Sequence, residues 1–168
     1  ISYTDSGSDG TAGNQDTTEY GAAYAMAIGE ASVTLAGASS RTAQVSGTED
    51  TAANNMGATV AMGALSVKIA QGNYTAVNAD EKSNGVGVSY KVSDDMTIGA
   101  YTVKVSDETG TTPEKYSNHG AEVAYTIASG LTAYLNLNDY DYQIGAGTGV
   151  GTTADKGLVT KLTIKASF

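Results

Sequence analysis

The chain has 168 residues, no cysteine and a formal net charge of −9. It therefore can hold neither a disulfide scaffold nor a cysteine-based metal site, and it lacks the basic surface that binding of nucleic-acid phosphates requires. Its hydrophobic share of 40% lies below the roughly 45–50% of globular domains, and the longest apolar run, residues 21–29, is far shorter than the about 20 residues of a transmembrane helix.

Apolar and polar residues alternate along the whole chain, a pattern that predicts β-strands. In chain order, ten strands are expected at residues 1–4, 20–28, 31–35, 56–62, 65–69, 86–92, 96–106, 121–127, 131–137 and 158–168. For residues 21–38 the alternative is an alanine-rich helix. A hairpin is favoured because glycines interrupt this stretch and the apolar parity changes between Met26 and Val33.

The links between these strands alternate in length. The short ones are residues 27–30, 62–64, 92–96 and 128–130, and the long ones are 5–17, 39–50, 75–82, 107–115 and 141–156. This alternation predicts an up-and-down meander with tight turns at one end and long acidic loops at the other. Within residues 96–106 the apolar parity changes between Ile98 and Val103, which predicts a β-bulge at Gly99.

The polar sides of the strands carry small residues, and this favours a membrane barrel over a soluble β-sandwich. A sandwich exposed to water on that side would more often carry Lys, Glu and Arg, whereas a wide barrel with apolar groups toward lipid can be lined by small ones. The small residues on this side include Gly21, Ala23, Ala25, Gly57, Ser66, Gly85, Gly87 and Ser89.

Three strand, short-turn, strand units carry a resemblance to a known family. They are "TTEYGAAYAMAIGEASVTLAGAS", "KSNGVGVSYKVSDDMTIGAYTVKVSD" and "NHGAEVAYTIASGLTAYLNLNDYD", followed by "GLVTKLTIKASF". In this order they resemble the C-terminal portion of a general diffusion porin of the alphaproteobacterial (Rhodobacter-like) type, over essentially all 168 residues.

The resemblance implies an all-β, antiparallel, up-and-down transmembrane β-barrel. The ten strands of residues 1–168 would form a single segment of a 16-stranded porin barrel, and the front strands and the inward-folded constriction loop of the family would be absent. Such porins are homotrimers in the outer membrane of Gram-negative bacteria, so the expected partners are the lipid bilayer and lipopolysaccharide. The resemblance also implies that the barrel-assembly machinery reads Leu162, Ile164 and Phe168 as an assembly signal.

The expected function is a water-filled channel for passive diffusion of ions and small hydrophilic solutes. Its pore wall would carry Lys68, Glu122, Lys161 and Lys165, whose fixed charges could orient solutes and bias ion selectivity, or could be solvated without effect on selectivity. The alternatives are a non-conducting structural or adhesive outer-membrane barrel and a soluble β-sandwich.

Catalysis is not expected. Ser117 and His119 share one side of a strand, but a hydrolase would also need an orienting group and an oxyanion site. Asp139 and Asp141 flank Tyr140 on one side of a strand and could hold a metal through oxygen ligands, or form a solvated rim. No cofactor is expected, apart from Ca²⁺ or Mg²⁺ at the acidic surface loops.

Overall fold

The computed structural model describes residues 2–6, 16–43, 50–76, 79–109, 114–143 and 154–167, and these residues form ten strands. The strands are β1 (Ser2–Ser6), β2 (Asp16–Ile28), β3 (Ala31–Ala43), β4 (Thr51–Met62), β5 (Leu65–Ala76), β6 (Ala79–Lys91), β7 (Met96–Asp107), β8 (Glu114–Ala128), β9 (Leu131–Gln143) and β10 (Asp155–Ala166). The prediction of ten strands is confirmed, and residues 21–38 form a hairpin rather than a helix.

All ten strands belong to one sheet, in the order of the chain, and every pair is antiparallel. The two-sheet arrangement that a β-sandwich requires is therefore not found among the described residues. β1 and β10 lie at the two edges of the sheet, and each pairs with one described strand.

The strands extend well beyond their apolar segments into stretches predicted as loops. β3 continues to Ala43 and β8 begins at Glu114, because a backbone ladder needs no apolar side chains once the strands are paired. The prediction of a long link at residues 75–82 is wrong, since only residues 77 and 78 separate β5 from β6.

Tight turns join the strands at the end of the sheet opposite the long links, as predicted. Residues 29–30, 63–64 and 129–130 join successive strands, and Gly63 takes a φ of 55°. This left-handed conformation suits glycine, which has no Cβ to clash with the backbone.

The bulge predicted at Gly99 is wrong. β7 keeps continuous register with both β6 and β8, and Tyr101 and Val103 lie on the polar side of the sheet. Tyr101 fits there because its neighbours in the adjacent strands are Gly87 and Gly120. The irregularity in the described sheet lies instead in β8, between Thr126 and Ala128.

The sheet has no hydrophobic core of its own, since no apolar side chain among the described residues is buried. Large apolar side chains lie exposed along one side instead, for example Ile69 at 55% and Leu162 at 67%. None of the described residues forms a helix of the length and apolarity that crossing a bilayer would need.

Candidate functional site: the two faces of the sheet

One side of the sheet, called here the apolar face, carries a continuous band of apolar side chains. Successive residues of a strand point to opposite sides, and paired residues point to the same side, so register defines the rows of this band. One row across eight strands consists of Met26, Val33, Val60, Val67, Val88, Ala100, Ala121 and Leu137. The predicted apolar sides of the strands thus merge into one surface.

The opposite side, called here the polar face, holds all four residues predicted to line a pore. Glu122, Asn136 and Lys161 are direct neighbours in one row across β8, β9 and β10. Lys68 lies in the adjacent row on β5, and Lys165 lies opposite Thr132 at the turn end of β10.

These four charges differ in their surroundings. Lys68, Lys161 and Lys165 are exposed, Glu122 is half-buried, and none of them forms a salt bridge with another described residue. Two strand spacings separate the backbones of Glu122 and Lys161, which is about 10 Å. The arrangement places opposite charges close enough to create a field along the surface between them.

Tyrosine rings on the polar face lie across glycines of the neighbouring strands, a feature that sequence reasoning missed. The Tyr101 hydroxyl donates a hydrogen bond to the Asn138 side chain two strands away, and a Cβ on the intervening Gly120 would lie only 2.6 Å from that hydroxyl oxygen. Tyr140 lies over Gly157 in a similar way. A tyrosine on the polar side of one strand and a glycine opposite it in the next strand would predict such a contact, but this pairing can be recognised only once the register of the strands is known.

The hydroxyls of Tyr140 and Tyr142 donate hydrogen bonds to carboxylates near the ends of the strands. Tyr140 donates to Asp155 over 3.1 Å, and Tyr142 donates to Glu114 over 3.0 Å. These bonds hold the two side chains on the polar face at the end of the sheet that carries the long links.

Asp139 and Asp141 lie on the apolar face of β9, toward the end with the long links. Their register partners on β8 are His119 and Ser117, and Lys156 lies opposite Asp141 on β10. Among the described residues, no three His, Cys, Asp or Glu side chains gather into a group that could hold a metal. Cation binding by the two aspartates stays a prediction.

The predicted Ser117 and His119 pair shows no hydrogen bond in the structure. His119 lies opposite Asp139 on β9. In the described part of the chain, its ring forms no hydrogen bond with the side chain of Asp139 or of Ser117. The relay of hydrogen bonds that a nucleophilic serine needs is therefore not formed by these residues.

The described residues of the predicted assembly signal, Leu162 and Ile164, lie on the apolar face of the edge strand β10. They are 67% and 63% exposed and lie opposite Leu135 and Ala133. Phe168, the third residue of that prediction, lies outside the described residues.

Charges also meet at the turn end of the sheet. Lys91 Nζ donates a hydrogen bond to Asp94 over 2.7 Å in the connection between β6 and β7. This hydrogen bond, and secondly the charge of Lys91, lower the pKa of Asp94 below that of an ordinary carboxyl group.

A single antiparallel meander of this kind, without helices among the described residues, has the fold of outer-membrane β-barrel proteins. The chain is similar in structure to OccK1 (OpdK) of Pseudomonas aeruginosa, with a TM-score of 0.72 at 13% identity over 90% of this chain and 48% of that one. OccAB2 of Acinetobacter baumannii gives 0.69 at 12% identity over 90% and 47%.

OmpT, an outer membrane protein of Vibrio cholerae, gives a TM-score of 0.57 at 18% identity over 94% of this chain and 58% of that one, and it has also been solved in a trimer form. The chain thus spans about half the length of these structures. No protein-family model and no curated protein matches it. At these identities the likeness establishes the fold.

Proposed function

We propose that the sheet is part of the wall of an outer-membrane porin, a non-enzymatic channel for passive diffusion of ions and small hydrophilic solutes. The observation that carries this proposal is the exposed apolar face on a sheet without a core. Lipid is the environment in which such a face is stable, and the polar face then borders water in the channel. The strands β2 to β10 have 12 to 15 residues, and about 9–11 residues suffice to cross a bilayer.

A wide barrel fits these strands better than a narrow one. A barrel of about eight strands is filled by its own side chains, whereas about 16 strands leave an aqueous channel. The small residues Gly, Ala, Ser and Thr predominate on the polar face of β2 to β6 and would leave a narrow interior empty. A 16-stranded barrel in which further strands pair with the edges of β1 and β10 also removes the open edges, which lipid does not tolerate.

The likeness to OccK1 and OccAB2, which are outer-membrane porins, supports this function and a location in the outer membrane of a Gram-negative bacterium. Within that class, the resemblance of the hairpins favours the alphaproteobacterial general diffusion type. A homotrimer is the proposed assembly. The barrel-assembly machinery is a further proposed partner, acting on β10 through Leu162, Ile164 and Phe168.

Lipopolysaccharide is the proposed partner at the rim of the apolar face. Above the apolar band, Lys82, Lys104 and Lys115 from three adjacent strands line a groove of about 350 Å³, which Asp141 also lines. Lys82 is paired with Glu108, whereas Lys104 and Lys115 form no salt bridge with another described residue. Ammonium groups at this level would meet the phosphates of the outer leaflet. Replacing Lys104 and Lys115 by Gln should reduce the lipopolysaccharide that copurifies with the protein.

Conductance across a planar bilayer tests the proposed function. The full-length protein that contains these strands should produce stable, stepwise current increments and admit small sugars into proteoliposomes. A correctly inserted protein that passes neither ions nor sugars would instead be a structural or adhesive barrel, the second candidate function.

A further inference from the structure

The polar face of β9 carries an uninterrupted series of aromatic and amide side chains. Its residues are Tyr134, Asn136, Asn138, Tyr140 and Tyr142, all half-buried. Tyr101 and Tyr116 on the two preceding strands point to the same side. We call these seven residues the tyrosine–asparagine track.

Two rings of this track lie across glycines of the neighbouring strands. Tyr101 reaches from β7 across β8 to bond Asn138 on β9, so its ring must lie along the sheet, over Gly120. The Tyr140 ring extends over Gly157, where a Cβ would lie 3.2 Å from Cε1, and its hydroxyl is fixed by Asp155. Each ring thus lies against a glycine that has no side chain to displace it, and part of each ring stays exposed on the polar face, 36% in the case of Tyr101.

Glycine is what permits this arrangement. A Cβ on Gly120 would come within 2.6 Å of the Tyr101 hydroxyl oxygen and would lift the ring from the sheet. The backbones of Tyr101 and Tyr140 are separated by two strand spacings and one row, or about 12 Å. They therefore lie side by side on the wall, with Asn138 between them.

The chemistry of the track matches a neutral sugar. The face of an aromatic ring is negative and attracts the weakly positive C–H groups on the apolar side of a pyranose. The amides of Asn136 and Asn138 can both donate and accept hydrogen bonds, as sugar hydroxyls do.

Anionic ligands fit the track less well. The Asp155 and Glu114 carboxylates lie next to Tyr140 and Tyr142. The positive charge of Lys161 is offset by Glu122 in the same row. An aromatic carboxylate would gain the ring contacts but would be repelled at one end of the track.

We propose that the tyrosine–asparagine track binds neutral sugars as they pass along the channel wall. This inference rests on the proposed function, and it assigns a solute class to one side of the channel. Binding to stacked rings should make a sugar pause in the channel and interrupt the ion current.

Current recordings of the full-length protein with maltotriose test the inference. Maltotriose should reduce the current in a concentration-dependent manner. Tyr101→Ala and Tyr140→Ala should each weaken the block about two- to tenfold, the factor expected for one aromatic contact. Tyr101→Phe, which keeps the ring and loses the bond to Asn138, should have a smaller effect.

A pair of glycine variants separates ring orientation from ring presence. Gly120→Ala should displace the Tyr101 ring and weaken the maltotriose block. Gly87→Ala, in the same row on the other side of Tyr101, should leave the block unchanged because its Cβ would make only an ordinary 3.5 Å contact with the Tyr101 Cβ. β-Sheet content by circular dichroism verifies that both variants fold.

A conducting channel that maltotriose does not block, or blocks equally in all variants, would overturn the inference. The inference would also be overturned if benzoate blocked the channel in a manner that depends on Tyr101 while maltotriose had no effect. If the protein conducts no current at all, the proposed function fails instead. The track is then tested in detergent by tyrosine fluorescence, which should respond to maltotriose in the parent protein and not in the Tyr101→Ala, Tyr140→Ala double variant; no response in the parent overturns it.

Discussion

Glu122 and Lys161 point to the same side of the sheet from one cross-strand row, with Asn136 between them. These fixed charges of opposite sign, on strands whose backbones lie about 10 Å apart, create a local field across the polar face. Because the four predicted wall charges form no salt bridge with other described residues, they can act on mobile ions.

Ion selectivity should follow the signs of these charges. Lys161→Glu should shift selectivity toward cations and Glu122→Gln toward anions, as measured by the reversal potential in a KCl gradient. The shifts should fade at high salt, since the Debye length falls from about 10 Å at 0.1 M to about 3 Å at 1 M. Lys156→Glu is the control, because Lys156 lies on the apolar face of the same strand; a shift as large as that of Lys161→Glu would contradict the assignment of the faces.

The two faces should differ in their tolerance of a charge. Val88→Arg should lower the free energy of unfolding in lipid vesicles by about 2–4 kcal/mol if Val88 lies near the bilayer midplane. Ser89→Arg, one residue further on the polar face, should change it by no more than about 0.5 kcal/mol. Denaturant unfolding measures both, and equal losses would mean that Val88 does not face lipid.

The turn between β4 and β5 should be sensitive to backbone strain alone. No atom outside its chain neighbours lies within 4 Å of a Cβ placed on Gly63, so Gly63→Ala introduces no clash beyond the turn. Because Gly63 has a φ of 55°, Gly63→Ala should nevertheless lower the free energy of unfolding by about 1–2 kcal/mol. Gly63→Asn should lower it less. Gly37→Ala within β3 should be neutral or slightly stabilising, and a loss there equal to that of Gly63→Ala would argue against strain as the cause.

The connection between β6 and β7 should respond to acid through Asp94. Because the pKa of Asp94 is lowered in the folded state, its contribution is present above its unfolded pKa of about 3.9 and is lost as the pH falls through the folded value. Carboxyl chemical shifts in a detergent-solubilised sample should show the pKa of Asp94 rising in Lys91→Met. Lys115→Met should leave it unchanged; an unaltered pKa in Lys91→Met would mean that Lys91 does not cause the shift.

Assembly should depend on the apolar face of β10. Leu162→Asp places a charge on a side chain that is 67% exposed on that face and should reduce the amount of heat-modifiable barrel in outer-membrane fractions. Thr163→Asp lies on the polar face and should assemble normally. Comparable yields of the two variants would show that this part of β10 carries no assembly information.

Much of the fold could be predicted because a strand period of two assigns each residue to a face. The apolar parity of Val86 and Val88 and the polar parity of Glu122 both hold in the structure. Parity was misleading around Gly99, where Tyr101 occupies the polar face because glycines lie on both sides of it. A large side chain is thus compatible with either face if its neighbours are small.

The neighbours across strands could not be predicted, because they depend on register. A two-residue turn sets the register of the hairpin that it joins, but the long links leave open how far one hairpin slides along the next. The row of Glu122 and Lys161 and the contact of Tyr101 with Gly120 both require those alignments. The extension of the strands past their apolar segments was missed for a related reason, since backbone hydrogen bonding carries no side-chain signature.

The backbone of each described strand pairs only with the strands before and after it in the chain. In a protein with a packed core, duplicating or deleting a hairpin would require many distant side chains to repack. Here a hairpin can be duplicated or deleted if the backbone hydrogen bonds to the two flanking strands form again. Duplication or deletion of the coding segment for one hairpin would therefore convert a barrel of one circumference into another. The same arrangement makes the long links natural positions for inserting foreign sequences, because their length has little influence on the alignment of the strands that they join.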